Sequence, residues 1–157
     1  MKHWCIAVII FGLMTTAVCA EQKKPVKPLP KDKCPVCGMF VAKYPDFVAE
    51  VIFKDGSYAV FDGVKDMLKY YFALEKYNPK KKRSDIDAIY VTDYYELKLI
   101  DGLKAFYVIG SDVYGPMGRE LIPFSSRSDA EEFRKDHQGK AVLEFSAITH
   151  DAVKGLD

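Results

Sequence analysis

The sequence is poor in the residues that build common catalytic and metal sites. Among its 157 residues there are only four cysteines, three histidines and one tryptophan. It has no Gly-x-Gly-x-x-Gly or P-loop motif for binding phosphates, and its acidic residues form no evident pair for acid–base catalysis. The formal net charge of +1 excludes the strongly basic character of a typical nucleic-acid-binding protein. These absences predict that the protein is not an enzyme, and they make its few sulfur-containing residues the main chemical feature.

The first 20 residues have the pattern of an export signal. Lys2 precedes the apolar run 6–14, and a short segment of small residues ends at Ala20. We expect cleavage after Ala20 and a periplasmic location. The run is shorter than the roughly 20 apolar residues that a membrane-spanning helix needs, which favours cleavage over a retained anchor. Lipidation of Cys19 is a further alternative, which Val18 disfavours because a small residue normally precedes a lipidated cysteine.

Signal cleavage would change the cysteine content of the protein. It removes Cys5 and Cys19 and leaves Cys34 and Cys37 as the only cysteines. Exported proteins lie in an oxidising compartment, where disulfides are favoured. Two cysteines separated by two residues close a very short loop, however, so a disulfide between them would add little stability.

Residues 21–33 separate the signal from the cysteine pair. They contain three prolines and five lysines. Proline favours extended chain and the lysines repel one another, which predicts a flexible tether. A solvated spacer is the simplest interpretation, and its positive charge offers proximity to a membrane as an alternative.

The remaining chain shows the same order of predicted elements twice. Each half has two strands, a helix and a further strand, judged from apolar periodicity and turn residues. We therefore expect an α+β fold made of two small strand-strand-helix-strand modules, at 34–100 and 101–157, the second with a C-terminal extension. The predicted strands are 47–53, 58–61, 87–92, 105–110, 120–124 and 141–145, and the predicted helices begin at Asp62 and at Ser126 or Ser128.

The segment Cys34-Pro35-Val36-Cys37-Gly38-Met39 is the strongest chemical motif. Two thiols and a thioether within six residues suit a soft metal such as Cu(I). The same cysteine spacing also serves thiol–disulfide exchange or a local structural disulfide. Zinc usually needs a second pair of Cys or His ligands, and the mature chain offers only His137 and His150, far along the chain. The pair precedes a strand and not a helix, which disfavours a thioredoxin fold.

A second candidate site residue lies in the other half of the chain. Met117 stands between Gly115-Pro116 and Gly118, which predicts a tight turn with the methionine at its tip. It is either a thioether ligand delivered from the second module or a loop residue that packs on Tyr114. Met67, by contrast, falls on the apolar face of the first helix and is predicted to be core.

Together these segments resemble the NosL family, copper-binding accessory proteins of nitrous oxide reductase maturation. The resemblance spans residues 34–146. It rests on three segments, namely Cys-x-x-Cys-Gly-Met, Phe61-Asp62-Gly63 before the first helix, and Tyr114 to Gly118 followed by Glu120-Leu121-Ile122-Pro123-Phe124. It implies a pair of strand-strand-helix-strand modules that bind one Cu(I). It also implies transfer of that ion to a partner, which is nitrous oxide reductase or its assembly machinery. Many members of the family are membrane-anchored lipoproteins.

The same resemblance implies roles for individual sulfur atoms. Cys37, Met39 and Met117 are the implied copper ligands, and Cys34 is either a ligand or a disulfide partner of Cys37. The resulting hypothesis is an exported Cu(I) metallochaperone. The alternative is a periplasmic thiol–disulfide redox protein that uses Cys34 and Cys37.

Overall fold

A computed structural model of the protein describes residues 23–157. The predicted export signal at 1–20, including Cys19, lies outside this range. Over the part of the chain that is described, no helix has both the length and the apolar character needed to cross a membrane.

The first sheet has four antiparallel strands in the order β2–β1–β3–β4. The central strand β1 is buried along its whole length, and its Glu50 pairs with Val60 on one side and Tyr90 on the other. The short strand β4 was not predicted and reaches across the expected module boundary at residue 100. The strands are β1 Ala49–Phe53, β2 Tyr58–Phe61, β3 Ile86–Thr92 and β4 Leu99–Asp101.

The second sheet has three antiparallel strands in the order β6–β5–β7. This order matches β2–β1–β3 in the first sheet, so both halves place their first strand between the second and the third. The α+β fold with two strand-strand-helix-strand units is therefore confirmed. The strands are β5 Phe106–Gly115, β6 Gly118–Phe124 and β7 Ala141–Glu144. β5 continues beyond its predicted end, with an irregular register between Ile109 and Tyr114.

Helix α1, Val64–Phe72, packs against both halves of the chain. It packs on β1 and β2 of its own sheet and also on β6 and on the C-terminal helix α4. Met67 and Leu68 of α1 are fully buried in the main core, as the helical periodicity predicted for Met67. Helix α3 covers the second sheet through Ala130 and Phe133. The helices are α1 Val64–Phe72, α2 Leu74–Tyr77, α3 Arg127–Asp136 and α4 His150–Lys154.

The segment before the cysteines lies against the first sheet, whereas the sequence predicted a flexible tether. The Lys23 amide donates a hydrogen bond to Asp87, and the Val26 amide donates to Glu50 over 2.9 Å. The Tyr90 hydroxyl donates to the Lys23 carbonyl over 2.7 Å. The partner residues come from β1 and β3, so the contacts that hold the segment are long-range. The proline- and lysine-rich composition of the segment does not indicate such contacts.

Candidate metal site

The cysteine motif forms a closed loop at the edge of the first module. The Cys34 amide donates to the Met39 carbonyl, and the Gly38 amide donates to the Cys34 carbonyl, each over 2.9 Å. Gly38 has φ +80, a left-handed conformation that glycine adopts without the steric cost of a Cβ atom. The loop therefore turns back on itself, and both sulfur atoms lie in one cluster.

Two carboxylates from the start of α1 complete this cluster. The Cys37 thiol donates to Asp62 Oδ1 over 3.1 Å, and the Cys34 thiol donates to Asp66 Oδ2 over 3.5 Å. One ligand atom from each of the four residues lies within 4.8 Å of all the others. Within residues 23–157 this is the single group of three or more cysteine, histidine or carboxylate side chains close enough to share a metal ion.

Asp62 was predicted to cap α1 and instead faces the cysteines. The residue at the N-cap position is Gly63, which has no side chain to accept a hydrogen bond. Glu120 of β6 takes over part of this role, because its Oε1 accepts the backbone N–H of Lys65 in the first turn. A Cβ atom on Gly63 would lie 2.3 Å from Glu120 Oε2, so only glycine permits this close approach. The carboxylate that caps the helix thus comes from the second module and leaves Asp62 available to the thiols.

Burial keeps both cysteines in the protonated form. Cys34 is 1% exposed and Cys37 is half-buried, and both are free thiols. The pKa of Cys37 is raised to about 11, chiefly by desolvation and in smaller part by the hydrogen bond to Asp62, whereas a backbone hydrogen bond at Met39 lowers it. Burial likewise moves the pKa of Cys34 well above its usual range. Since the thiolate is the nucleophile in disulfide exchange, these environments disfavour the redox alternative.

A metal ion changes this balance because it replaces the thiol protons. Cysteine binds metals as the thiolate, so each sulfur that coordinates an ion releases a proton. Cys37 is the more accessible of the two thiols. The arrangement is therefore suited to binding an ion from solution at Cys37, with Cys34 behind it.

The two methionines occupy different positions relative to the cluster. Met39 closes the cysteine loop with its backbone and has a half-buried side chain. Met117 lies at the tip of the β5–β6 hairpin, where the sequence predicted a tight turn, and its side chain is 43% exposed. The carbonyl of Met117 accepts a hydrogen bond from Lys65 Nζ over 2.7 Å. Because Lys65 directly precedes Asp66, this hairpin tip is attached to the same helical turn that carries the second carboxylate.

His137 and His150, the two histidines weighed as zinc ligands, have other contacts. His137 follows α3, its Nδ1 lies 3.0 Å from Asp112 Oδ1, and its ring stacks on Phe133 at 4.2 Å between centroids. His150 begins α4, and its ring lies 5.7 Å from that of Phe72. Neither belongs to the cysteine–carboxylate group.

Sequence reasoning missed the two aspartates of the cluster and Glu120. Asp62 and Asp66 are four residues apart, a spacing that puts two side chains on one face of a helix. That spacing was the available signal for a carboxylate pair. Glu120 had a different signal, since it is the one charged residue next to the buried run Leu121, Ile122 and Phe124.

Comparison with known proteins identifies relatives of the whole described fold. The NosL family model matches residues 25–153. The copper-binding lipoprotein NosL of Stutzerimonas stutzeri is 28% identical over 155 residues, covering 91% of this chain and 77% of the relative. The crystal structure of the copper chaperone NosL from Shewanella denitrificans shares the fold, with a TM-score of 0.70 at 24% identity over 83% of this chain and 99% of that one. The solution NMR structure of apo-NosL from Achromobacter cycloclastes is 31% identical over 67% of this chain and 87% of that one, with a TM-score of 0.48.

The S. stutzeri relative is relevant to the question of a lipid anchor at the N-terminus. That protein is a lipoprotein, which does not support our sequence-based preference against a lipid anchor. Cys19, the residue that would carry the lipid here, lies outside the described residues.

Proposed function

This chain belongs to the NosL family, and from that premise we propose that it is an exported metallochaperone that binds one Cu(I) ion and delivers it to a partner protein. The observation that carries the proposal is the pair of free thiols, Cys34 and Cys37, held in one cluster at the start of α1. Copper binding is also the property named for the S. stutzeri relative.

The proposed ligands are the sulfur atoms of Cys34, Cys37, Met39 and Met117. Thiolate and thioether are the donors that Cu(I) prefers. The hydrogen bond from Lys65 to the Met117 carbonyl supports a role for Met117, because it ties the hairpin tip to the helical turn beside the thiols. Cys34 is the more buried of the two cysteines. Its alternative role is that of a disulfide partner of Cys37, formed when an oxidant outside the protein takes two electrons and two protons from the pair of thiols.

Exposure of two ligands supports transfer as opposed to storage. Met117 is 43% exposed and Cys37 is half-buried, so a ligand from a partner can reach the ion while the protein still holds it. The protein performs no covalent chemistry on a substrate in this scheme. The ion is its cargo, and the chain contributes donors that bind it and an open side through which it leaves.

A Cu(I) competition titration tests the ligand assignment. The reduced protein is titrated anaerobically with Cu(I) in the presence of a chromogenic chelator. We expect one ion to be withdrawn from the chelator by the parent, and weaker competition by Cys37→Ala and by Met117→Ala. Tyr114→Ala is the matched control, because Tyr114 is 60% exposed on the same hairpin and offers no sulfur. Competition that both sulfur variants leave unchanged would contradict the proposal.

The recipient in this proposal is nitrous oxide reductase or its assembly machinery. The test is to mix the copper-loaded protein with the copper-free enzyme, separate the two and measure the copper in each. Transfer that proceeds no faster than from free Cu(I) in buffer would exclude this recipient.

Mass analysis of the N-terminus after export would show whether the chain begins at residue 21 or at a lipidated Cys19.

A further inference from the structure

We propose that a basic pocket beside Met117 is a docking site for an acidic segment of the protein that exchanges copper with this chain. The pocket has a volume of about 360 Å³ and lies between α1, the tip of the β5–β6 hairpin and the residues after α4. The identity of the cargo rests on the proposed function, whereas the binding of an acidic segment does not. The side chains that define the basic pocket are those of Lys65, Lys69, Met117, Arg119, Leu156 and Asp157.

The charges that line the basic pocket are mostly positive. Lys65, Lys69 and Arg119 contribute three cations. Asp157 contributes one carboxylate, which leaves two positive charges in excess. Arg119 is exposed and forms no ion pair with any other residue in the range 23–157. The buried carboxylate of Asp66 lies 3.9 Å from Lys69 Nζ and offsets part of this charge. Because the whole chain has a formal net charge of only +1, the excess is a local feature of this surface.

The carboxylate of Asp157 occupies the pocket in the way that a partner's carboxylate would. Its Oδ1 accepts a hydrogen bond from Lys69 Nζ and lies 3.7 Å from Lys65 Nζ. The hydrogen bond from Lys69 and the charges of both lysines hold the pKa of Asp157 below its ordinary value, although desolvation opposes them. The side chain is 55% exposed, and exposed ion pairs contribute little to stability. A carboxylate from another protein can therefore replace Asp157 at little cost.

Lys65 gives the pocket a fixed inner cation. Its side chain is only 4% exposed, and its Nζ donates a hydrogen bond to the Met117 carbonyl over 2.7 Å. An ammonium group has three hydrogens, so others remain for a carboxylate. The carbonyl satisfies one hydrogen bond but does not neutralise the charge, and a poorly hydrated cation gains from an additional anion. The inner end of the pocket is therefore suited to an anionic side chain.

The basic pocket lies next to the proposed point of copper transfer. Met117 lines the pocket, and its side chain is 43% exposed. An acidic segment bound there would hold its protein at the hairpin tip, where a ligand from that protein can reach the ion. Complementary charges raise the rate of association and fix orientation more than they raise affinity, which suits an encounter that ends after transfer. Because the pocket is concave and its inner cation is buried, a protruding side chain fits it better than a flat layer of lipid head groups.

Tetraglutamate that is blocked at both ends is the probe for the test. It is titrated at low salt into the isotope-labelled, reduced, copper-free protein, and amide chemical shifts give the dissociation constant. We expect Lys69→Gln and Arg119→Gln each to weaken binding by at least about threefold, in line with the loss of an exposed ion pair. Asp157→Asn is expected to strengthen binding by about threefold, because it removes the competing carboxylate. Binding should weaken as the salt concentration rises.

Two matched controls separate the pocket from the overall charge. Lys98→Gln and Asp46→Asn change the net charge by the same amounts at exposed positions outside the pocket, and neither is expected to alter binding. Absence of saturable binding, or equal effects of Arg119→Gln and Lys98→Gln, would overturn the proposal. If Lys69→Gln does not fold, Arg119→Gln gives the same comparison at an exposed residue.

A parallel titration with vesicles of phosphatidylglycerol tests the other anionic surface. Vesicles that bind through Arg119 when tetraglutamate does not would assign the pocket to a membrane and overturn the proposal. The Cu(I) competition titration is independent of both measurements. Failure of tetraglutamate to bind would leave the copper result unchanged, and failure of Cu(I) to bind would leave the peptide result unchanged, so the two proposals fail separately.

Discussion

Replacing Glu120 with glutamine tests how strongly a buried carboxylate couples the stability of this protein to pH. Glu120 is 3% exposed in β6, and its Oε1 accepts the backbone N–H groups of Lys65 and Leu121. Burial raises its pKa to about 8, and these two hydrogen bonds and the charge of Lys65 only partly oppose the shift. The folded protein therefore holds a proton on Glu120 at pH values where the unfolded chain has released it.

The direction and size of the change in stability with pH follow from the difference between the folded and unfolded pKa of Glu120. The ordinary pKa of the side chain is 4.5 and the folded value is about 8. The contribution of protonated Glu120 to the free energy of unfolding is fully present below about pH 4.5. It is lost as the pH rises through about 8. At 1.36 kcal/mol for each pKa unit, the upper limit of the loss is about 5 kcal/mol. Relaxation around the ionised group lowers this figure, and we expect a loss of about 2–3 kcal/mol.

Urea unfolding at several pH values measures this loss. Between about pH 5 and pH 9 the parent is expected to lose about 2–3 kcal/mol more of its unfolding free energy than Glu120→Gln, since glutamine does not titrate and the other titrating groups are common to both proteins. Glu75→Gln is the control, because Glu75 is exposed in α2. The reasoning is refuted if the parent and Glu120→Gln show the same dependence of unfolding free energy on pH.

Two further predictions concern the first sheet and the C-terminal helix. Glu50 lies buried in β1, its Oε1 has no partner among residues 23–157, and burial raises its pKa to about 7. Glu50→Gln should therefore reduce the loss of unfolding free energy between about pH 4.5 and pH 7, and it should stabilise the protein above that range. Urea unfolding measures both effects, and an unchanged pH dependence would contradict the prediction. Thr149 Oγ1 accepts the N–H of Ala152 at the start of α4, so Thr149→Ala should destabilise the protein by about 1 kcal/mol. A melting temperature equal to that of the parent would show that this cap is not needed.

Local sequence patterns predicted the elements of the fold because those patterns reflect short-range physics. The Asp55-Gly56 turn joins β1 and β2, and the helical spacing of apolar residues put Met67 in the core. Both halves follow the predicted order of strands and helix. The division of the first helix at Ala73 and the extra strand β4 depend on packing, and the sequence carries no strong signal for either.

The candidate site was only partly predictable for a related reason. Cys34 and Cys37 are close in sequence, so their clustering follows from the loop alone. Asp62 precedes a helix, where an aspartate is usually a cap, and nothing local distinguishes that role from a contact with Cys37. The distinction depends on Glu120, which lies 55 residues beyond Lys65 and supplies the acceptor that Asp62 would otherwise provide.

The first turn of α1 is where the two modules and the candidate site meet. The Lys65 amide donates to Glu120, the Lys65 ammonium donates to the Met117 carbonyl, and the neighbouring Asp66 accepts from the Cys34 thiol. Any motion that separates β6 from α1 therefore removes the cap of the helix and also breaks the contact between Lys65 and Met117. In the proposed copper site, an ion held by Cys37 and Met117 would join the same two modules that Glu120 joins. Because a ligand stabilises the state that binds it, bound copper would make separation of the modules less favourable. A partner that draws Met117 away would remove one ligand and so weaken the site while it takes the ion.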